Sequence, residues 1–193
     1  TVRPRHLDDW LALWPAEAES LRTAGFTLHR LFVETDAEPK VTLLASHPSR
    51  QTLPVAQPEA LAPHVFRNAV TRPVRCDLLT TASAATVAGR IAIMRRYSLV
   101  GDWGEFLDIW RRIVEVREAY GFRCLFAVRD QPTDMFTWAF DFAGAFSDFP
   151  AAQRDYYRDP ARVALRGVFD YMADYVITPA DQLRADGRLF ATP

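Results

Sequence analysis

The chain has 193 residues, 49% of them hydrophobic and 24% charged, with 23 Lys and Arg against 24 Asp and Glu and a formal net charge of −1. These figures describe a globular protein large enough to bury a core without disulfide staples, and they exclude a disordered or fibrous chain. No apolar run approaches the roughly 20 residues of a membrane helix, no secretory leader is read at the start, and the balanced charge offers no field for nucleic acid or anionic lipid. The expectation is a cytoplasmic protein.

In chain order, His6 to Ala24 has helical spacing, with Pro15 inside it as a source of a kink. Phe26 to Val33 and Val41 to Ser46 read as paired strands joined by a turn over Glu34 to Lys40. Gln51 to Pro63 is a proline-rich loop, Pro63 to Val70 a short helix, and Val74 to Thr80 a strand. Arg90 to Tyr97 is a further strand. From Asp102 an amphipathic helix of about 17 residues carries Phe106, Leu107, Trp110, Ile113, Val114 and Arg117 at three- and four-residue spacing. Gly121 stands where a left-handed cap is wanted. Phe122 to Val128 and Met135 to Phe142 are strands about a turn at Gln131–Asp134. A broken helix runs from Ser147 or Asp148 past Tyr156 and Tyr157, restarts at Pro160 and continues to Met172, and Tyr175 to Ile177 closes as a strand before Pro179.

The chain repeats itself at an offset of 96 residues. Trp10-Leu-Ala-Leu-Trp14 falls on Phe106-Leu-Asp-Ile-Trp110, Glu19 on Glu115, and Gly25-Phe26 on Gly121-Phe122, with no gap across 36 positions. Residues 86–193 read as β-α-β-β-α-β, the split ferredoxin-like motif. Residues 1–85 read as the same motif without its first strand. Either the start has been trimmed, or the first sheet lacks an edge, or Arg188-Leu-Phe-Ala191 fills it. The predicted architecture is α+β: two tandem ferredoxin-like units forming one α/β barrel within the chain.

This pattern resembles the dimeric α/β-barrel superfamily and, within it, the NIPSNAP family. Met94-Arg-Arg-Tyr-Ser-Leu99 is similar to that family's first strand, Glu-Leu-Arg-Thr-Tyr-Thr-Leu. Phe106-Leu-Asp-Ile-Trp110 is similar to its Phe-Leu-x-x-Trp helix, and Gly121-Phe122 to its Gly-Phe junction. Thr137-Trp-Ala-Phe-Asp141 is similar to its His-Leu-Trp-x-Tyr-Asp strand, and Tyr157-Arg-Asp-Pro160 to its Asp-Pro. Thr1-Val-Arg-Pro-Arg-His-Leu-Asp-Asp-Trp10 looks like its Thr-Leu-Lys-Pro-Gly-x-Leu-x-x-Phe. The resemblance implies the fold, and it implies no single activity.

The candidate chemistry is sparse. All four histidines, His6, His29, His47 and His64, lie in the first half. His29, mid-strand, is a candidate general base or else a surface histidine satisfied by a neighbour. Arg95, matching the arginine of the family's first strand, and Arg123 are candidates to hold an enolate or phenolate. Arg123 and Arg129 could instead be ion-paired with Asp77, Asp130 or Asp141. Asp141 is the alternative proton carrier, and Trp138 and Tyr157 are candidates to stack a planar substrate. Arg90, Arg95, Arg96, Arg111, Arg112 and Arg117 are interleaved with acids and read as a solvated face. Cys76 and Cys124 read as small buried hydrophobes. No zinc spacing, nucleophile elbow, phosphate loop or dinucleotide motif occurs, and neither metal nor cofactor is expected.

Two function classes remain. One is a cofactor-independent enzyme that cyclises, isomerises or oxygenates a small apolar or aromatic, polyketide-like metabolite, as in bacterial secondary metabolism. The other is a non-catalytic small-molecule-binding or interaction protein of the NIPSNAP type. A haem-binding barrel is a weaker third. The partner in each leading case is a small-molecule ligand, and self-association into a homodimer is left open.

Overall fold

A computed structural model describes residues 1–34, 38–49, 58–81 and 87–187. The chain divides into two compact units, one of Thr1–Pro73, Thr81–Ala88 and Ala180–Pro193, the other of Val74–Thr80 and Gly89–Pro179.

The second unit contains β4 (Arg90–Leu99), α2 (Trp103–Ala119), β5 (Arg123–Asp130), β6 (Met135–Ala143) and the start of β7 (Met172–Leu183). Between β6 and β7 lie three one-turn helices, α3 (Phe149–Ala152), α4 (Arg154–Arg158) and α5 (Pro160–Val163), and a 3₁₀ turn at Arg166–Tyr171. The hydrogen-bonded order is β7-β4-β6-β5-β3, where β3 is Arg75–Leu79. The first four are the fourth, first, third and second strands of a ferredoxin-like motif, in the order that motif requires.

Local chemistry sets the boundaries. Asp102 caps α2 by accepting from the Glu105 amide at 2.9 Å. Gly121 follows the helix with φ of 79°, which a side chain would resist. The buried residues of α2 are Phe106, Leu107, Trp110, Ile113, Val114 and Arg117, the stripe that the spacing predicts. They meet Phe136, Trp138, Phe140 and Phe142, which share one face of β6. Trp110 crosses Phe136 and Trp138 edge to face, with ring centres 5.1 and 5.7 Å apart. Each such buried ring contributes about 1.5–3 kcal/mol.

In the first unit α1 (Leu7–Thr23) runs through Pro15 as a single helix and buries Trp10, Trp14, Ala18 and Leu21. They pack with Leu31 and Val33 of β1 (Thr27–Glu34), Leu61 and Leu183. Here β1 lies between β2 (Lys40–Ser46) and the end of β7. The element bounds follow the offset of 96 in the two long helices and in the strands after them. Residues 7–23 and 27–34 of α1 and β1 map by 96 onto 103–119 and 123–130 of α2 and β5.

Three expectations are corrected. No helix spans Pro63 to Val70. A 3₁₀ turn covers Glu59–His64 instead, and beyond it the Phe66 and Arg67 amides donate to Thr1 O while Val2 bridges Val65, so this backbone pairs with the start of the chain. Strand β7 does not stop before Pro179 but continues to Leu183, since its last residues pair with β1 through Val33↔Asp181, Phe32↔Gln182 and Leu31↔Leu183. Cys76 is exposed, because among the described residues β3 pairs only with β5 and stands at the sheet edge with a bulge after Cys76. Among the described residues no strand precedes α1, and Arg188 to Ala191 lie outside them.

Candidate functional site

The β4–β6 ladder places Arg95 directly opposite Trp138, between the pairs Ile93↔Phe140 and Tyr97↔Phe136. Alternation along each strand turns these six side chains toward the aromatic core. Helix α2 adds Arg117, the last residue of its buried stripe, and the segment after β6 adds Tyr156, Tyr157 and Arg162. Arg95, Arg117 and Arg162 are all buried, at 5, 1 and 5% exposure.

Three buried guanidiniums in one core demand an account, because each ordinarily needs a carboxylate. Among the described residues none of the three has one. Arg117 instead lies against rings, its guanidinium carbon 4.1 Å from the centres of both Phe140 and Tyr156. Arg95 stands 5.7 Å from the Tyr97 and Trp138 ring centres, and Arg162 is 5.5 Å from that of Tyr157. Cation–π contact recovers about 2 kcal/mol for a desolvated pair, less than the cost of burying a charge.

Together these groups line a recess in the second unit, floored by Trp110 and Trp138 and reaching solvent at Tyr157 and Phe169. It is narrow and open to solvent on one side. It accommodates a water or two, so an aromatic ligand enters only if side chains at its mouth move.

Seven buried polar side-chain atoms lining this recess make no hydrogen bond of good geometry: Nε of Arg95, Arg117 and Arg162, Nη1 of Arg117, Nε1 of Trp110 and Trp138, and the Tyr156 hydroxyl; the Trp138 N–H nonetheless faces the Tyr97 hydroxyl, and the Arg95 guanidinium the Tyr157 hydroxyl, closely enough to favour the phenolates. Six are N–H donors with no acceptor capacity and the seventh is a hydroxyl. A recess so lined asks for an oxygen-rich anion. The charge also reaches Tyr157. Burial pushes its phenol up, but Arg95, Arg117 and Arg162 outweigh that and hold it below the ordinary tyrosine value of 10.0. The Tyr97 phenol, more deeply enclosed, is pushed up by burial.

Of the residues singled out from sequence, Arg95, Trp138 and Tyr157 meet in this recess. Asp141 and Arg123 do not. Asp141 lies on the opposite face of β6 and is fully buried, accepting from Arg90 Nε at 2.7 Å and Arg123 Nε at 2.9 Å. Arg129 is likewise bound to Asp77, at 2.8 and 2.9 Å. These are the ion pairs that the sequence offered as the structural alternative. His29 belongs to the other unit and shares a 2.9 Å hydrogen bond with Ser46 Oγ.

Arg117 and Arg162 are the residues that sequence reasoning missed. The solvated-face reading is wrong for Arg95 and Arg117, which are buried. The signal was present for Arg117, since it falls on the apolar stripe of α2. Arg162 carries no such mark in its one-turn helix.

The architecture and the arginine-rich recess together define an α+β protein with a candidate anion-binding site. Two solved structures share the fold. One is a candidate monooxygenase from Fusobacterium nucleatum subsp. nucleatum, with a TM-score of 0.63 and 10% identity over 95% of this chain and 88% of that one. The other is a candidate monooxygenase from Lactobacillus acidophilus, with a TM-score of 0.65 and 10% identity over 94% of this chain and 90% of that one. At that identity the likeness is one of fold alone. No protein-family model matches the sequence. No curated protein matches it either.

Proposed function

We propose that this chain is a cofactor-independent enzyme of the oxygenase kind, related to NIPSNAP-like proteins, that acts on a small planar aromatic or polyketide-like molecule bound as an anion in the arginine-lined recess. The carrying observation is the set of seven polar atoms without a well-formed hydrogen bond, spread over six recess residues, of which six are donors only. An enolate, phenolate or carboxylate oxygen accepts from about two or three of these donors, and Trp138, Tyr97 and Phe169 offer flat apolar contact to the ring that bears it. The likeness in fold to two candidate monooxygenases supports the reaction class.

Cyclisation, isomerisation and oxygenation of such molecules share a first step, removal of a proton to give an electron-rich anion. Arg95 and Arg117 stabilise that charge in a dry site, where preorganised cations act most strongly. Tyr157 is the proton acceptor in this reading, since its phenolate is favoured by the same arginines. His29 and Asp141, outside the recess, take no part.

A non-catalytic binding protein is the second reading, favoured by the absence of any His or carboxylate among the recess residues. Titration with 2-naphthoate and its uncharged amide tests the shared premise. The acid binds the wild type, while the amide and the variants Arg95→Met and Arg117→Met lose about tenfold or more. Equal binding of acid and amide, or by wild type and variants, overturns the site. Oxygen uptake and product analysis over a panel of phenols and 1,3-dicarbonyls then separate the readings. Turnover that falls in Tyr157→Phe supports the enzyme. Tight binding without turnover supports the carrier.

A further inference from the structure

We propose that His6, Asp9 and His64 bind a divalent transition-metal cation of the zinc type, which fastens the start of α1 to the 3₁₀ turn Glu59–His64. This site lies in the first unit and is independent of the arginine recess.

The geometry carries the proposal. His6 Nδ1 and His64 Nδ1 are 3.2 Å apart, and Asp9 Oδ2 lies 3.8 Å from the first and 3.9 Å from the second. The point equidistant from three atoms so spaced is about 2.1 Å from each, the bond length that zinc makes with imidazole nitrogen and carboxylate oxygen (about 2.0–2.2 Å). A cation there needs no movement of backbone. A hydrogen bond between the two facing nitrogens has one ring donate and the other accept.

The frame is held without help from these side chains. The Arg3 amide donates to His64 O at 2.8 Å, the His6 amide to Arg3 O at 3.0 Å, and Val2 bridges Val65. His6 occupies the N-cap of α1 yet makes no capping bond with its side chain, so its ring is available. His6 and Asp9 stand three residues apart on one helix face. The positive end of the helix dipole disfavours a cation, and Asp8 and Asp9 in the first turn offset it.

Two imidazoles with one carboxylate select zinc, nickel, copper or iron over calcium and magnesium. The three side chains are 43, 63 and 20% exposed, which leaves the remaining coordination positions to water. The site is therefore exchangeable.

Untagged full-length protein, stripped with chelator and titrated with zinc chloride by calorimetry, is expected to bind one equivalent. His6→Ala and His64→Ala each weaken binding by about tenfold or more, while His29→Gln leaves it unchanged. Should a variant misfold by circular dichroism, the imidazole nitrogen resonances of the wild type decide: zinc shifts those of His6 and His64 alone. Absence of binding at micromolar zinc, undiminished binding by folded His6→Ala and His64→Ala, or shifts confined to His29 and His47 overturns the proposal.

Discussion

Arg117 and Tyr156 lie face to face in the core of the second unit, the guanidinium carbon 4.1 Å from the ring centre, with both side chains essentially closed to solvent. Burial pulls the Arg117 guanidinium below its ordinary pKa, an expression of how poorly its charge is compensated. Arg117→Met keeps the length and removes the charge. It raises resistance to urea by about 1 kcal/mol or more, as happens when buried ions give way to packed apolar groups, and it weakens binding of 2-naphthoate by about tenfold or more. A loss of stability with binding retained would show that the arginine is structural.

Asp141 gives the opposite outcome. It is fully enclosed and joins Arg90 to Arg123, so Asp141→Ala leaves two cations facing an empty acceptor site and lowers unfolding free energy by about 3 kcal/mol. Because Asp141 lies on the far face of β6 from Trp138, the folded fraction still binds the naphthoate. Urea denaturation followed by titration below the transition reads both effects.

Tyr157 makes the recess respond to alkali. Its phenol ionises in the folded protein below the unfolded value near 10.0, under Arg95, Arg117 and Arg162 acting against burial. In the window between those two values the unfolded chain holds a proton that the folded chain has released. Stability from this group therefore rises with pH across the window and is absent below it. Ultraviolet titration shows one early-ionising tyrosine that is lost in Tyr157→Phe. Turnover, if Tyr157 is the base, rises with pH through the same inflection.

The two cysteines differ in access. Burial pushes the Cys124 thiol up to about 12, whereas Cys76 is exposed on β3. A disulfide reagent under native conditions titrates one thiol, slowly because burial of the sulfur also raises Cys76, and titrates two in guanidinium. Mass mapping assigns the native adduct to Cys76.

Much of the scaffold was legible because its signals are periodic or local. The α2 stripe, its start near Asp102, the Gly121 terminus and the offset of 96 each depend on spacing along the chain. The recess was half legible. Arg95 and Trp138 stood out through strand alternation and family resemblance, but Arg117 was assigned to solvent by its charge although its position on the stripe placed it inside. Position outweighed residue type there. The His6–Asp9–His64 cluster was not legible at all, since it arises from the bond between Arg3 and His64, and nothing in sequence spacing brings residue 64 to residue 6.

The end of β7 has a consequence for how the protein is made. Trp14, in the first helix of the chain, donates from its indole nitrogen to Ala185 O at 3.0 Å, and Leu31 pairs with Leu183. A ribosome releases the chain from its N-terminus, so β1 emerges some 150 residues before the strand that covers its edge. The second unit has every strand in hand as soon as β7 leaves the exit tunnel, β3 having come first. Vectorial synthesis thus inverts the order of completion. Of the two units, the one translated earlier is the last to be finished, and until then that edge of β1 stands bare.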